Sequence, residues 1–238
     1  GGFVIAALNY IFGKKELHSI ARAAILTAFL GYIAVVIGLL FDLGLPWNIW
    51  HMVIFWNPHS PLFEVGWCVM LYLTVLTIEF APVVLEKYPN IKILAKIHKV
   101  LYKFRIPIVI LGIMLSTLHQ SSLGSLFLAM PYKLHPLWYS PIIPLIFFIS
   151  AIYLGLMMVM VESMTSSYLY KKEQESHILM KLKYYAFYMI IIYGAFRFGD
   201  IIFRGATDFL FQNDWGTYLF WAEIFISLLL PFIIFNIK

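Results

Sequence analysis

The chain has 238 residues, of which 62% are hydrophobic, 18% aromatic and 12% charged, with a formal net charge of +5 and a mean hydropathy of +0.87. A soluble domain carries about 25% charged and about 45–50% apolar residues, so a water-facing globule, a disordered chain, a collagen-like fibre and a disulfide-stapled module are all excluded. A single cysteine, Cys68, forbids an internal disulfide and any four-thiolate zinc or iron–sulfur site. The composition predicts an all-α fold: a polytopic transmembrane helical bundle.

A spanning helix needs roughly 20 apolar residues, because the hydrocarbon core is about 30 Å thick. The first apolar run, 1–12, is too short for that. It lacks the charged start and cleavage site of a signal peptide, and reads as the last part of a helix that begins earlier. Full-length segments follow at 20–43, 61–85, 104–119, 138–162, 182–204 and 216–236. The segment 104–119 is short, with room to run on to Met130. The expectation is about seven membrane segments, the first incomplete, in a single integral-membrane domain, 1–238. The runs are continuous and lack the in/out alternation of a membrane barrel.

Lysine and arginine sort by connection. Lys14, Lys15 and Arg22 fall before or at the start of 20–43; Lys87, Lys92, Lys96, Lys99, Lys103 and Arg105 follow 61–85. Lys171, Lys172, Lys181 and Lys183 precede or open 182–204, and Lys238 ends the chain on the same side. The alternate connections are almost bare: 43–60 has neither base, and 120–137 has only Lys133. The tryptophans (47, 50, 56, 67, 138, 215 and 221) sit in or near that bare side. The positive-inside rule then makes the basic loops and the C-terminal end cytoplasmic and the Trp-rich loops external. The expected location is the inner, cytoplasmic membrane, and the positive charge is an orientation signal, not a nucleic-acid footprint. The aromatic stretch 45–61 is expected to pack on helix ends or beneath another subunit.

A charge at the bilayer centre costs about 2.5–3.5 kcal/mol on insertion scales, so ionisable groups at depth need partners and often mark a pathway. Asp42, Glu64, Glu79, His119, Glu162, Arg197, Asp200, Arg204 and Glu223 are the candidates. Arg197, Asp200 and Arg204 share one helix face by spacing, either as a self-neutralising ion cluster or as part of a site. Glu64 lies near a helix start, where an acid suits the dipole; it also lies about 22 Å along an ideal helix from Glu79, so the two acids could serve opposite faces. His119, ending its segment and preceding Gln120, Ser121 and Ser122, can exchange protons or hydrogen-bond a carbonyl, or simply be a satisfied interfacial group. Bis-histidine haem is disfavoured, because only His119 is near membrane depth: His98 and His177 fall in basic loops, and His51, His59 and His135 in the opposite ones. A retinal lysine at mid-membrane is absent, as are P-loop, GxGxxG and HExxH patterns.

The polar segments match a family in order. Asp42-Leu43-Gly44, Asn57-Pro58-His59-Ser60-Pro61-Leu62-Phe63-Glu64 and Glu79-Phe80-Ala81-Pro82 come first. His119-Gln120-Ser121-Ser122-Leu123-Gly124-Ser125-Leu126, His135-Pro136-Leu137-Trp138, Arg197-Phe198-Gly199-Asp200 and Phe220-Trp221-Ala222-Glu223 follow. Together they resemble the HybB-like branch of the NrfD/polysulfide reductase membrane subunits, with a likeness also to DsrP-type subunits, over nearly the whole chain. Leu45 stands where the family usually carries an arginine.

The resemblance implies a haem-free subunit of a respiratory oxidoreductase complex, without an iron–sulfur cluster of its own and not catalytic alone. It would exchange electrons between a membrane quinone (menaquinone or ubiquinone) and an extracytoplasmic, ferredoxin-like iron–sulfur subunit. Further redox partners would be a hydrogenase, a multihaem cytochrome or a Dsr-type complex. It also implies eight to ten helices in the full subunit, of which this chain is an interior part. His119 with Asp42 or Glu64 would form the reactive site, His119, Gln120, Arg197 and Asp200 would hold quinone, and Glu79, Glu162 and Glu223 would line a proton path. Buried acids alone would also suit an ion or solute transporter, and the apolar bundle alone a purely structural anchor.

Overall fold

The computed structural model describes residues 2–11, 13, 17–171 and 176–236. Among the described residues, every regular element is helical. Helix α1 (Gly2–Ala6) runs on through a π turn, Ala7–Ile11. Then come α2 (His18–Asp42), the short α3 (His51–Ile54), α4 (Pro61–Leu85), α5 (Lys92–Lys103) and α6 (Arg105–Leu128). Helices α7 (Ile143–Tyr170) and α8 (Ser176–Phe203) follow; α9 (Trp215–Ile224) joins α10 (Leu230–Asn236) through a second π turn, Phe225–Leu229. Six stretches among the described residues are long and apolar enough to cross a membrane: Ile20–Asp42, Leu62–Leu85, Arg105–Leu128, Ile143–Tyr170, Ser176–Phe203 and Trp215–Asn236. With the helical stretch at the start of the chain, this agrees with about seven segments.

Two of the sequence boundaries fall short, for chemical reasons. The segment 104–119, given room to run on to Met130, continues to Leu128. Its hydroxyl-rich second half lowers the hydropathy without breaking the helix, because Thr117 Oγ1 donates to Ile113 O at 2.8 Å and Ser125 Oγ to Ser121 O at 3.1 Å. Such back-bonding lets a polar side chain meet its own needs inside an apolar helix. Helix α8 starts at Ser176 instead of 182, since Lys181 and Lys183 interrupt the apolar run while remaining good helix formers.

The helix ends carry local signals. Ser60 caps α4, its Oγ accepting from Phe63 N at 3.5 Å, with Pro61 in the first turn. Asp214 caps α9, its Oδ1 accepting from Thr217 N at 2.7 Å. Lys171 closes α7 at φ 50, in the left-handed region. The π turn Phe225–Leu229 leaves backbone geometry wider than an α turn, and Tyr153 Oη donates to Ser227 O at 3.0 Å there.

The chain divides into two compact units, Gly1–His119 and Gln120–Lys238. In the first, α1 lies against α2 so closely that a Cβ on Gly2 would stand 2.7 Å from Ala28 Cβ. Tyr72, Val75 and Leu76 of α4 form a core with Leu115 of α6, and Tyr32 of α2 packs against it. In the second unit the core runs through Ile149 and Tyr153 of α7, Ile190 and Tyr193 of α8, and Phe220 and Ile224 of α9. The outer surface is apolar: Phe41 is 86% and Phe203 94% exposed. Several polar groups lie inside, among them Ser116, His119, Ser140, Arg197 and Thr217. Apolar outside and polar inside is the distribution expected when the solvent is lipid, because an intramembrane polar side chain must turn inward to find partners.

Gly124 marks the tightest helix approach in the second unit. A Cβ there would stand 2.6 Å from Pro144 Cα and 3.0 Å from Ile143 O, both backbone atoms. Gly124→Val is expected to destabilise the protein by about 1–3 kcal/mol through overpacking. Gly199→Ala, with nothing within 4 Å of its Cβ, is expected to leave stability nearly unchanged. Thermal unfolding of the two variants in detergent measures the difference.

Candidate functional site

Helical spacing sets Gly112, Ser116 and His119 along one face of α6. Gly112 lets α6 rest on α4: a Cβ there would meet Val75 Cγ1 at 3.4 Å and Tyr72 Cε2 at 4.0 Å. The Ser116 side chain lies beside the hydroxyl of Tyr72. The Tyr32 ring meets Tyr72 edge-on at a centroid distance of 4.5 Å and the His119 ring at 5.8 Å. His119 is buried, 5% exposed, and its Nδ1 has no hydrogen-bond partner among the described residues. An imidazole with one open ring nitrogen, beside the Tyr32 phenol, can hold a hydrogen bond to a carbonyl and pass a proton.

The depth of this group differs from the expectation. A segment ending at His119 would leave the histidine at a membrane interface, but α6 continues about 13 Å beyond it. Tyr32 likewise lies about 15 Å from the Asp42 end of α2. Asp42 is exposed at that end, and Glu64 is exposed in the first turn of α4, about 12 Å along the helix from Tyr72. The first-unit contacts of His119 are therefore with Tyr32, while the two carboxylates stand towards the helix ends.

Glu79 lies two turns beyond Tyr72 on the same face of α4. Its Oε1 is buried without a partner among the described residues. It borders a cavity of about 240 Å³ lined also by Arg22, Glu86, Tyr102 and Arg105, with Pro82 in the wall. Arg22 donates to Glu86 Oε1 at 3.2 Å, so an ion pair stands beside the cavity at the end of the helices that carries the lysines.

The second unit holds a denser network, centred on the segment before α7. Ser140 Oγ donates to Asp200 Oδ1 at 2.7 Å, and Arg204 Nε to Asp200 Oδ2 at 2.8 Å. Arg204 also reaches back, its Nη1 donating to Pro136 O at 3.1 Å. Trp138 Nε1 donates to Glu223 Oε2, Tyr193 Oη to Glu223 Oε1 at 3.3 Å, and Arg197 Nη2 to Glu223 Oε2 at 3.5 Å. The Arg197 guanidinium also sits over the Phe220 ring, 5.3 Å from its centroid, a cation–π contact. At the edge, His135 Nε2 lies 3.0 Å from Asp214 Oδ2, while its Nδ1 accepts from Leu137 N at 3.3 Å. Since Nδ1 accepts, Nε2 carries the proton and donates to Asp214. The Thr217 hydroxyl and backbone N–H, with His135 adding to them, hold the Asp214 carboxyl below the usual carboxylate range.

The family described as Polysulphide reductase, NrfD matches residues 1–238. The chain belongs to that family. It is 47% identical over 222 residues to a protein of Nitratidesulfovibrio vulgaris, covering 90% of this chain and 54% of the relative. It is 31% identical over 242 residues to the probable Ni/Fe-hydrogenase 2 b-type cytochrome subunit of Escherichia coli, covering 100% of this chain and 60% of that one. It is also 31% identical over 259 residues to the integral membrane subunit of a menaquinone reductase of Nitratidesulfovibrio vulgaris, covering 98% of this chain and 60% of that subunit. The chain thus spans between 54% and 60% of the length of these relatives. No solved structure matches it. The resemblance to HybB-like and DsrP-like membrane subunits holds, and the chain is an integral membrane protein.

In this NrfD-family chain, the residues singled out from sequence fall into separate groups. Arg197 and Glu223 form an ion pair, and Asp200 pairs with Arg204. Glu223, expected on a proton path, is held by Arg197, Trp138 and Tyr193. Gln120 follows His119 half-buried, and Glu162 is half-buried in the last third of α7. Sequence reasoning missed Tyr32, Tyr72 and Ser116 around His119, and Tyr193, Ser140 and Asp214 in the second unit. A signal existed for some of them. Tyrosines deep within apolar runs, away from the interfacial belt, need a partner for their hydroxyl, and Ser116 stands one helical turn before His119.

Two outcomes follow from the second-unit network. Glu223→Ala strands the guanidinium of Arg197, which is 4% exposed, and is expected to cost roughly 3 kcal/mol, at the low end for a broken buried pair because Glu223 is partly exposed. Arg197→Met in the Glu223→Met background should recover much of that loss, and a double-mutant cycle on thermal stability reads the coupling. For Asp214 the folded carboxyl titrates lower than the unfolded one. Its contribution is complete above the unfolded value of about 3.9 and is lost as pH falls through the lower folded value. Acid titration of thermal stability should therefore show a decline below about pH 4 that is reduced in Asp214→Asn.

Proposed function

We propose that this chain is part of the quinone-reactive membrane subunit of a respiratory oxidoreductase complex. The observation that carries the reading is the buried His119 at mid-span, with an open Nδ1 among the described residues, the Tyr32 ring beside it and Tyr72 against Tyr32 in turn. Its membership of the NrfD family and its similarity to a menaquinone reductase membrane subunit support it. A quinone presents flat apolar faces and carbonyl oxygens, which suits aromatic walls and one imidazole donor. Reduction to quinol takes two electrons and two protons; the reverse direction releases them. Electrons would pass to or from an extracytoplasmic, ferredoxin-like iron–sulfur subunit, with a hydrogenase, a multihaem cytochrome or a Dsr-type complex beyond it.

In this reading His119 hydrogen-bonds a quinone carbonyl and exchanges its proton, with Gln120 next to it in the chain. Asp42 and Glu64, at the opposite helix ends from the basic connections, carry protons between that site and the external face. Arg197 and Asp200 set a polar wall whose charges are compensated by Glu223 and Arg204. Glu79, Glu162 and Glu223 are the acids from which a route across the membrane would be built, and Glu79 borders a cavity at the lysine-bearing end. That end is cytoplasmic by the positive-inside rule, in the inner membrane. The chain itself is read as free of haem and iron–sulfur clusters. A haem held by two axial histidines finds His119 as the histidine far from a helix end in these spans, with His18 and His177 in first turns.

The test uses the intact complex in membranes. His119→Leu is expected to lower quinone-coupled turnover by about 100-fold or more while leaving subunit assembly and the dye-linked activity of the other subunits in place. Tyr32→Phe should weaken a fluorescent quinol-site inhibitor less than His119→Leu does. Unchanged inhibitor binding and turnover in His119→Leu and Asp42→Asn would sink the assignment and leave a structural anchor. Solute flux through the purified subunit would favour a transporter.

A further inference from the structure

Helix α5 is unlike the other helices of the first unit. It joins the spans Leu62–Leu85 and Arg105–Leu128, so both of its ends lie at one membrane surface. None of its residues is buried. At 100° per residue, Lys92, Lys96, Lys99 and Lys103 fall on one narrow stripe, and Ile93, Ile97 and Val100, continued by Phe104, on a second stripe about a quarter-turn away. The second stripe is uncovered: Ile93 is 71%, Val100 48% and Phe104 52% exposed. A third side, with Leu94, His98 and Leu101, is half-buried. Leu101 and Tyr102 border the cavity beside α4, and His98 approaches Glu86 at 4.0 Å.

We propose that α5 lies in the headgroup plane of its leaflet and binds anionic phospholipid, with the lysine stripe on the phosphates and the Ile93–Ile97–Val100–Phe104 stripe in the acyl region. Three observations choose this occupant. Two spanning helices fix the depth of α5 at the interface. The helix carries four lysines and no acid, and the described residues offer those lysines no ion pair. The one acid at its base, Glu86, is already engaged by Arg22. The quarter-turn between the stripes is the geometry of an interfacial helix, in which the apolar face sinks while the lysine stems reach up to the phosphates. A lysine near an anionic surface is worth about a fivefold preference.

The test reconstitutes the intact complex in vesicles of phosphatidylcholine alone or with phosphatidylglycerol. The readout is the fraction of spin-labelled phosphatidylglycerol, against spin-labelled phosphatidylcholine, immobilised at the protein surface. The wild type should prefer the anionic label several-fold, and raised salt should reduce that preference. Replacing the four lysines with glutamine should bring it towards parity, whereas replacing them with arginine should keep it. Equal immobilisation of both labels by the wild type, or a preference that survives both salt and the glutamine variant, overturns the proposal. So does acylation of these lysines by a water-soluble amine reagent that is equal in both vesicles and blocked only by the other subunits, since that assigns the face to a protein partner.

Discussion

The carboxylate of Glu223 has to be compensated from within the protein, because its helix is lined on the outside by exposed Phe225 and Ile226 and lipid offers no hydrogen bonds. Trp138, Tyr193 and Arg197 meet that demand from the segment before α7 and from α8. The same segment supplies Ser140 to Asp200, the Pro136 carbonyl to Arg204, and His135 to Asp214. Four residues between 135 and 140 thus tie down partners on α8, on α9 and at the α9 cap. The apolar core of the second unit forms around this arrangement. Phe220 is at once fully buried in that core and the ring beneath Arg197. Packing and charge compensation are met by the same side chains.

The first unit also leaves interior polar atoms open. Its interior ionisable groups, His119 and Glu79, each keep a buried atom without a partner among the described residues. Leaving such an atom unmet costs about 1–3 kcal/mol. Closed networks hold helices together; open valences are available to a ligand, a water or a proton. Arg197 Nε in the second unit is likewise buried without a hydrogen-bond partner among the described residues, so the role proposed for His119 rests on its place beside Tyr32 as well as on its open Nδ1.

Much of this was legible in the chain itself. Hydropathy and the placement of lysines gave the spans, since a bilayer imposes a length and a composition that few other environments share. The ordered motifs identified the family, and the i, i+3, i+7 spacing anticipated the Asp200–Arg204 pairing. Two things were hidden. The sequence leaves the end of α6 anywhere between His119 and Met130, because Thr117 and Ser125 satisfy themselves on their own helix, which hydropathy cannot register. Which acid meets which base was also hidden: Glu223 and Arg197 are 26 positions apart, and periodicity along one helix says nothing about the face of another. In the sequence Tyr32 and Tyr72 are ordinary apolar bulk; in the fold their rings meet edge-on, and the Tyr32 ring also meets His119.

The π turn at Phe225–Leu229 has a consequence for how the end of the chain is compared and engineered. A π turn holds one more residue than an α turn, so a count of inward and outward positions begun at Trp215 slips by about 100° once it passes Leu229. Alignments of this stretch should absorb a single-residue gap there at little cost, because removing one residue restores a regular helix. Scanning mutagenesis designed on one uninterrupted helical wheel would instead assign lipid-facing positions of 230–236 to the interior. The wheel has to be restarted at Leu230.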